Sequence, residues 1–311
     1  MNNIKTTNSK SVKETPRLGT EKSGRNLPCV AIILDSCVSL PSDKIKPFVT
    51  IVSQFIQIGL DSVTDFVGSQ SKDYDPYLNS PLPLTTSRPN PSQFYDSIKQ
   101  FAIDGYKQCL ILTLTTKTSG TYDSAVIARS MAVDDALFQE NDITVVDSSQ
   151  VALGHGILAI EAMNYVIGGS NLPSIVEHLN TLKERLRSYY LIDNIIPMYE
   201  GGRIHSKIPP STLVKTWYII KIENGELHVV ERAPTMNKGF SILTQLFKSG
   251  KINNHVFPIV INYIGLDNMA MRMQNLILSD DADAYIINSP LCLDLSVHFK
   301  PTSLGISWCE E

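Results

Sequence analysis

The chain has 311 residues, a formal net charge of −4 and a composition that is 43% apolar and 19% charged. This balance is typical of a globular protein, and the length is sufficient for two ordinary domains. A slightly acidic chain has no general attraction to nucleic acid. No apolar run reaches the length of a membrane-spanning helix, which is about 18 residues. We therefore expect neither a nucleic-acid partner nor an integral membrane segment; transient membrane contact is compatible with the sequence.

The first 26 residues differ from the rest of the chain. They contain six Lys or Arg, two Glu and seven Ser or Thr, and they lack the apolar core of a secretory signal. This composition predicts a disordered basic tail over residues 1–26.

Three apolar runs in the first half predict buried parallel strands. They are Pro28 to Asp35, Gln108 to Leu114 and Ile143 to Asp147. Helix-like segments follow at 119–133 and 150–168, and strands that alternate with helices predict βαβ units with a parallel sheet between helices. We therefore expect an α/β domain over residues 27–170.

The second half has a different pattern. Residues 172–190 resemble a helix, and two strand-like runs joined at Asn224-Gly225 predict a β-hairpin. Further helices are predicted at 236–248 and 267–278, and further strands at 257–263, 284–288 and 304–308. We expect a second, smaller α+β domain over residues 171–311.

Four turns rich in Ser and Thr flank the predicted parallel strands. They are Asp35 to Pro41, Thr85 to Pro91, Thr115 to Tyr122 and Asp147 to Ser149. Each could simply cap a helix, but turns at the carboxyl ends of parallel strands converge on one edge of the sheet. Hydroxyl groups and helix N-termini there suit a small anion. No P-loop and no GxGxxG segment is present, so a single carboxylate fits better than a nucleotide.

Hydrolysis by an activated serine is an alternative from another class. Ser119 lies on a strand-to-helix turn, and His298 or His155 could serve as its base. The surrounding sequence is Lys-Thr-Ser-Gly-Thr, however, and lacks the Gly-x-Ser-x-Gly elbow of α/β-hydrolases.

Neither the cysteines nor the histidines predict a metal site. The five cysteines show no CxxC or CxxH spacing, and the six histidines form no HxH or HxxxH pair. An odd, scattered set of cysteines also disfavours a disulfide framework, so we expect a cytoplasmic location.

Six motifs in this order resemble the DegV family, whose best-understood members are the fatty acid-binding subunits of bacterial fatty acid kinase. The matching segments are Asp35 to Pro41, Thr86 to Pro91, Ser119 to Ala125, Val146 to Gly156, Gly201 to Ile204 and, in part, His298 to Gly305. The resemblance implies an α/β domain joined to a smaller α+β domain, with a long-chain fatty acid buried in the protein. It implies no other cofactor.

The resemblance also implies which residues form the site. Those expected to bind the ligand are Thr86, Ser87, Arg88, Thr115, Thr116, Ser119, Gly120, Thr121 and His298. Those expected to support the site are Asp35, Ser36, Asp147, Ser148 and Arg203. The acyl chain would lie along Phe48 to Ile58 and Ile157 to Ile167, segments that plain core would explain equally well.

The resemblance further implies that the protein is not itself an enzyme. It would present the fatty acid to the catalytic subunit of a fatty acid kinase. Lys300-Pro301-Thr302 replaces the Gly-Pro-Gly that follows the histidine in the family, and two added side chains could narrow the path to the ligand head. A binding protein for another acyl or carboxylate ligand, without a kinase, is therefore the alternative.

Overall fold

The computed structural model describes residues 28–64, 71–205, 216–250, 252, 256–299 and 302–311. The predicted tail at 1–26 and the substituted Lys300-Pro301 lie outside these residues. The strands in the described part are β1 (Val30–Asp35), β2 (Val49–Val52), β3 (Phe55–Ile58), β4 (Asp61–Thr64), β5 (Leu84–Ser87), β6 (Gln108–Thr113), β7 (Ile143–Asp147), β8 (Leu186–Ile192), β9 (Ile204–His205), β10 (Trp217–Glu223), β11 (Glu226–Ala233), β12 (Ile259–Ile264), β13 (Ile286–Pro290) and β14 (Ser303–Cys309). The α-helices there are α1 (Asp75–Leu78), α2 (Pro91–Asp104), α3 (Thr121–Asp134), α4 (Leu153–Ile167), α5 (Leu172–Arg185), α6 (Ile196–Glu200), α7 (Met236–Ser249), α8 (Asp267–Asp280) and α9 (Leu293–Phe299).

The first sheet is parallel and has the strand order β2-β1-β6-β7. All six residues of β1 are buried, which explains its continuous apolar run. Helices α2 and α3 pack against each other and against this sheet, as do α4 and α5. The predicted α/β class and the three parallel strands are confirmed.

The second sheet has seven strands in the order β13-β12-β14-β8-β10-β11-β9. Its pairs are antiparallel except β12 with β13 and β9 with β11. Helix α4 contacts β1 of the first sheet and β8, β12 and β14 of the second, so it lies between the two sheets. A helix covered on both sides is apolar around its circumference, as the run at 157–160 is.

The predicted helix at 172–190 is wrong in its last part. Helix α5 ends at Arg185, and the following residues form β8 between β10 and β14 in the second sheet. Tyr190 and Ile192 pack into the core around α4, whereas Leu191 packs into the opposite core. Side chains that alternate between two cores require a strand.

The predicted hairpin is confirmed. Asn224 and Gly225 have φ angles of +51° and +82°, which are the left-handed values of a two-residue turn between β10 and β11. Helices α7 and α8 were also predicted at nearly their observed bounds.

A third sheet, with the order β4-β3-β5, was not predicted. It is antiparallel, and β3 and β5 pack on α9. This contact brings a segment of the first half of the chain onto the C-terminal part. No helix in the described ranges is both long and apolar enough to cross a membrane.

Candidate functional site

A cavity of about 200 Å³ lies beyond the carboxyl end of β6, against β5, β11 and α9. Ligands of open α/β sheets bind at this end of the strands. Its polar lining residues are Gln54, Thr86, Arg88, Thr118, Ser119, Arg203, Asp294 and His298. Its apolar side chains are Leu114, Val151, Met198, Leu227, Leu295 and Phe299. The lining is therefore amphipathic, as a ligand with a polar head and an apolar body requires.

Thr86 and His298 meet at this cavity although they are 212 residues apart. Thr86 Oγ1 and His298 Nε2 are hydrogen-bonded at 2.8 Å. Neighbouring side chains on a strand point to opposite faces, so Thr85 and Ser87 on β5 are exposed while Thr86 is partly buried. Of the two hydroxyl residues predicted here, Thr86 lines the cavity and Ser87 does not.

Arg88 lines the cavity and is held by the turn that precedes α3. Its Nη1 donates to the carbonyl of Gly120 at 3.0 Å and lies 3.7 Å from Asp123. The guanidinium lies directly over Gly120, where a Cβ atom would be only 1.8 Å from Nη1. Gly120 therefore provides the space in which Arg88 reaches the cavity.

The hydroxyl of Ser119 also reaches the cavity. Ser119 Oγ lies 2.8 Å from Thr121 Oγ1 and accepts the backbone N–H of Thr121 at 3.3 Å. Thr121 is buried at the start of α3 and does not line the cavity. Thr121 therefore orients the Ser119 hydroxyl from outside the cavity.

Four other predicted residues stabilise turns and do not line the cavity. Thr115 Oγ1 donates to the carbonyl of Gly225 at 3.0 Å, which connects the β10–β11 hairpin to the first sheet. Thr116 Oγ1 donates to Asp147 at 2.9 Å. The hydroxyl of Ser148 is buried and donates to a backbone carbonyl in its own turn. The hydroxyl groups of Thr115 and Thr116 are thus already engaged by protein acceptors.

Asp35 and Ser36 position two residues of the cavity wall. Asp35 Oδ2 accepts the backbone N–H of Leu114 at 2.7 Å, and Ser36 Oγ accepts that of Gln54 at 3.0 Å. Asp35 Oδ1 also accepts the N–H of Cys37. Asp35 and Ser36 thus hold the backbone of Leu114 and Gln54 and do not themselves line the cavity.

Burial changes the charge of Asp35 and of the nearby His155. It raises the pKa of Asp35 to about 8, and the proximity of Asp294 acts in the same direction. It lowers the pKa of His155 to about 4. The two side chains are 3.8 Å apart and fully buried. Between these two pKa values both groups favour the neutral form, so the contact is not an ion pair.

Gln54 lines the cavity but was not among the residues named as ligand-binding; it lies in Phe48 to Ile58, the segment expected along the acyl chain. It follows β2, is only 4% exposed, and its Nε2 has no hydrogen-bond partner among the described residues. An unpaired buried amide is costly, and a ligand acceptor in the cavity would remove that cost. Ser53 and Gln57 stand in the same segment, so no local signal marks Gln54 as the residue that faces the cavity.

The turn after β1 is also attached to the second sheet. The carbonyl of Ser39 accepts from Ser289 Oγ at 2.6 Å and from Asn262 Nδ2 at 3.2 Å. Ser39 Oγ accepts the backbone N–H of Cys292 at 2.9 Å. Since these groups are buried, they fix the start of α9, and hence His298, relative to the first sheet.

The parallel sheet, the mixed sheet and the amphipathic cavity define an α/β protein of DegV architecture. Residues 29–311 match the family model described as "Uncharacterised protein, DegV family", and the chain belongs to this family. The resemblance inferred from the six motifs is confirmed.

Individual relatives agree with this assignment. A DegV domain-containing protein of Caldanaerobacter subterraneus is 24% identical over 284 residues, covering 91% of this chain and 99% of the relative. A DegV family protein of Ruminococcus gnavus, refined with vaccenic acid, has a TM-score of 0.79 at 19% identity and covers 90% and 99% of the two chains. The fatty acid kinase B3 protein of Streptococcus pneumoniae, loaded with linoleic acid, has a TM-score of 0.76 at 18% identity and covers 91% and 99%.

Proposed function

We propose that this protein binds one long-chain fatty acid in the cavity and presents its carboxylate to a fatty acid kinase. The observation that carries the proposal is the amphipathic lining, in which Thr86, Ser119, His298 and the unpaired amide of Gln54 face one space. Structural relatives loaded with vaccenic and linoleic acid support the ligand class.

The head group would be held by hydroxyl and amide donors. A carboxylate without hydrogen bonds is very costly to bury, and two to four donors offset that cost. Arg88 and Arg203 add positive charge to the lining. Together they fix which end of the ligand faces solvent.

The acyl chain supplies most of the affinity. About 16 carbons at about 0.8 kcal/mol per methylene give roughly 12 kcal/mol as an upper limit, from which association removes at least about 4 kcal/mol. Micromolar to nanomolar dissociation constants are then reachable. The cavity volume of about 200 Å³ is below the about 300 Å³ of the smallest typical ligand pockets. The acyl chain must therefore separate apolar side chains of the wall, such as Phe299, as it enters. No residue of the expected segment Ile157 to Ile167 lines the described cavity.

The protein's own role is binding and presentation, with the phosphoryl transfer left to the kinase. The hydroxyl of Ser119 is paired with Thr121, and Nε2 of His298 is paired with Thr86. This pairing supports carboxylate binding more than a serine nucleophile activated by His298. Contact with a membrane during loading and a cytoplasmic location are part of the same proposal.

Mass spectrometry of the purified protein tests the ligand, both in the native state and after organic extraction. We expect one fatty acid per chain. Thr86→Val should weaken oleate binding about 10-fold to 100-fold, because a charge-assisted hydrogen bond contributes about 1.5–3 kcal/mol.

Thr85→Val is the matched control, since Thr85 is the exposed neighbour on the same strand. A ligand-free mass that oleate and palmitate leave unchanged would contradict the proposal. Production of acyl phosphate when a fatty acid kinase catalytic subunit and ATP are added tests presentation separately.

A further inference from the structure

Two cysteines and an aspartate converge in the core beside the cavity. Cys37 follows β1, Cys292 precedes α9 and Asp294 lies in the first turn of α9. Their ligand atoms all lie within 4.8 Å of one another, and the three residues are at most 4% exposed. Cys292 Sγ donates to Asp294 Oδ1 at 2.8 Å. We propose that Cys37, Cys292 and Asp294 bind one divalent cation of the zinc type.

The donor set determines the class of metal. Two thiolates are soft ligands that select zinc-like ions over magnesium or calcium, and a carboxylate oxygen is a common third ligand of zinc. Ligand atoms around a tetrahedral zinc ion lie about 3.3–3.8 Å apart, given Zn–S and Zn–O distances of about 2.3 and 2.1 Å. Atoms that already lie within 4.8 Å can reach this geometry through small side-chain rotations.

The backbone holds the two halves of the cluster in place. The side chain and the carbonyl of Ser39, two residues after Cys37, are hydrogen-bonded to the Cys292 N–H and to Ser289. The N–H of Cys37 is bound by Asp35. Ligands on segments that other contacts already position need little reordering when an ion binds.

The cavity adjoins the cluster at Asp294, the side from which an ion and a fourth, exogenous ligand would enter. Asp294 belongs to the cluster and also lines the cavity, so the cluster lies against the cavity wall. Three protein ligands with an open fourth position are typical of a zinc ion that also binds water or an exogenous anion.

Cobalt titration tests the site in the full-length protein. The protein is purified under reducing conditions, stripped with a chelator and titrated with Co²⁺. We expect thiolate-to-cobalt charge-transfer absorption that saturates at one equivalent and disappears when Zn²⁺ is added.

Cysteine variants assign the absorption to the cluster. Cys37→Ser and Cys292→Ser should abolish it, while Asp294→Asn should keep it with an affinity at least about tenfold weaker. Cys29→Ser, an exposed cysteine outside the cluster, and Cys109→Ser, a buried one in β6, are matched controls that should retain it.

X-ray absorption of the zinc-loaded wild type gives a second test that does not depend on how the variants fold. We expect two sulphur neighbours and two oxygen or nitrogen neighbours. Absence of the charge-transfer band, a band that survives both cysteine substitutions, zinc without sulphur neighbours, or a Cys37–Cys292 disulfide in the purified protein would overturn the proposal. Fatty acid binding is measured separately, so either proposal can fail alone.

Discussion

Replacing Gly120 with alanine should remove Arg88 from the cavity without straining the backbone. Gly120 has φ −85° and ψ 19°, values that alanine adopts freely. The added Cβ would lie 1.8 Å from Nη1 and 2.9 Å from Cζ of Arg88. The Arg88 side chain is 51% exposed, so it can rotate into solvent. The substitution therefore displaces the Arg88 guanidinium and leaves α3 in place.

The size of the expected loss in ligand affinity follows from the exposure of the Arg88 side chain. A half-exposed ion pair contributes about 0.2–1 kcal/mol, so Gly120→Ala should weaken oleate binding by up to about fivefold. The free energy of unfolding should fall by about 1 kcal/mol, because one hydrogen bond to Gly120 is lost. The effect on binding should shrink as salt is added, since screening weakens exposed charges.

A double-mutant cycle in an oleate titration checks the reasoning. Arg88→Ala should cause the same loss as Gly120→Ala, and the double variant should bind no worse than Arg88→Ala. An additional loss in the double variant would show that the methyl group acts on the cavity directly. Unchanged affinity in Arg88→Ala would show that Arg88 does not hold the ligand head.

Three further substitutions test the supporting structure. Asp35→Ala should lower the free energy of unfolding by about 2–6 kcal/mol, because two buried backbone N–H groups lose their acceptor. Urea titration measures this loss, and a value below about 1 kcal/mol would contradict the prediction. Gly225→Ala should cost at least about 1–2 kcal/mol, since φ is +82° and the new Cβ would contact the Thr115 hydroxyl; an unchanged Tm in calorimetry would argue against it. His155 has a pKa lowered from 6.5 to about 4, so the unfolded state binds the proton first, and the contribution of His155 to stability should fall as pH drops from about 6.5 to about 4. The raised pKa of Asp35 contributes the opposite slope over this range, so the effect of His155 is measured as a difference between variants. In the presence of a chelator His155→Phe should remove that part of the slope, and an unaltered pH profile of unfolding would refute it.

Local patterns were sufficient for much of the fold. The buried runs of β1, β6 and β7 and the Asn224-Gly225 turn were recognisable because their signals lie within a few residues. Of the residues that the motif comparison named, six line the cavity: five were predicted to bind the ligand, and Arg203 was predicted only to support the site. The six are Thr86, Arg88, Ser119, Gly120, Arg203 and His298.

Tertiary structure decided what local patterns left open. Residues 186–192 form a strand because β10 and β14 pair with them, and the helical spacing before Arg185 contains no information about those partners. Thr115 and Thr116 carry hydroxyl groups, but their direction depends on Gly225 and Asp147, which lie far along the chain. The sequence gives the type of each side chain, whereas packing determines its hydrogen-bond partner.

Convergence over long distances was equally invisible in the sequence. Gln54 shares its stretch with Gln57, and Gln54 is the one that lines the cavity, where Ser36 holds its backbone. Cys37 and Cys292 are separated by most of the chain and match no metal motif, yet hydrogen bonds between Ser39 and the second sheet bring their sulphur atoms together. Residues that lie close together in sequence reveal a site only when a single loop contains all of it. Here the site is formed jointly by two sheets and α9.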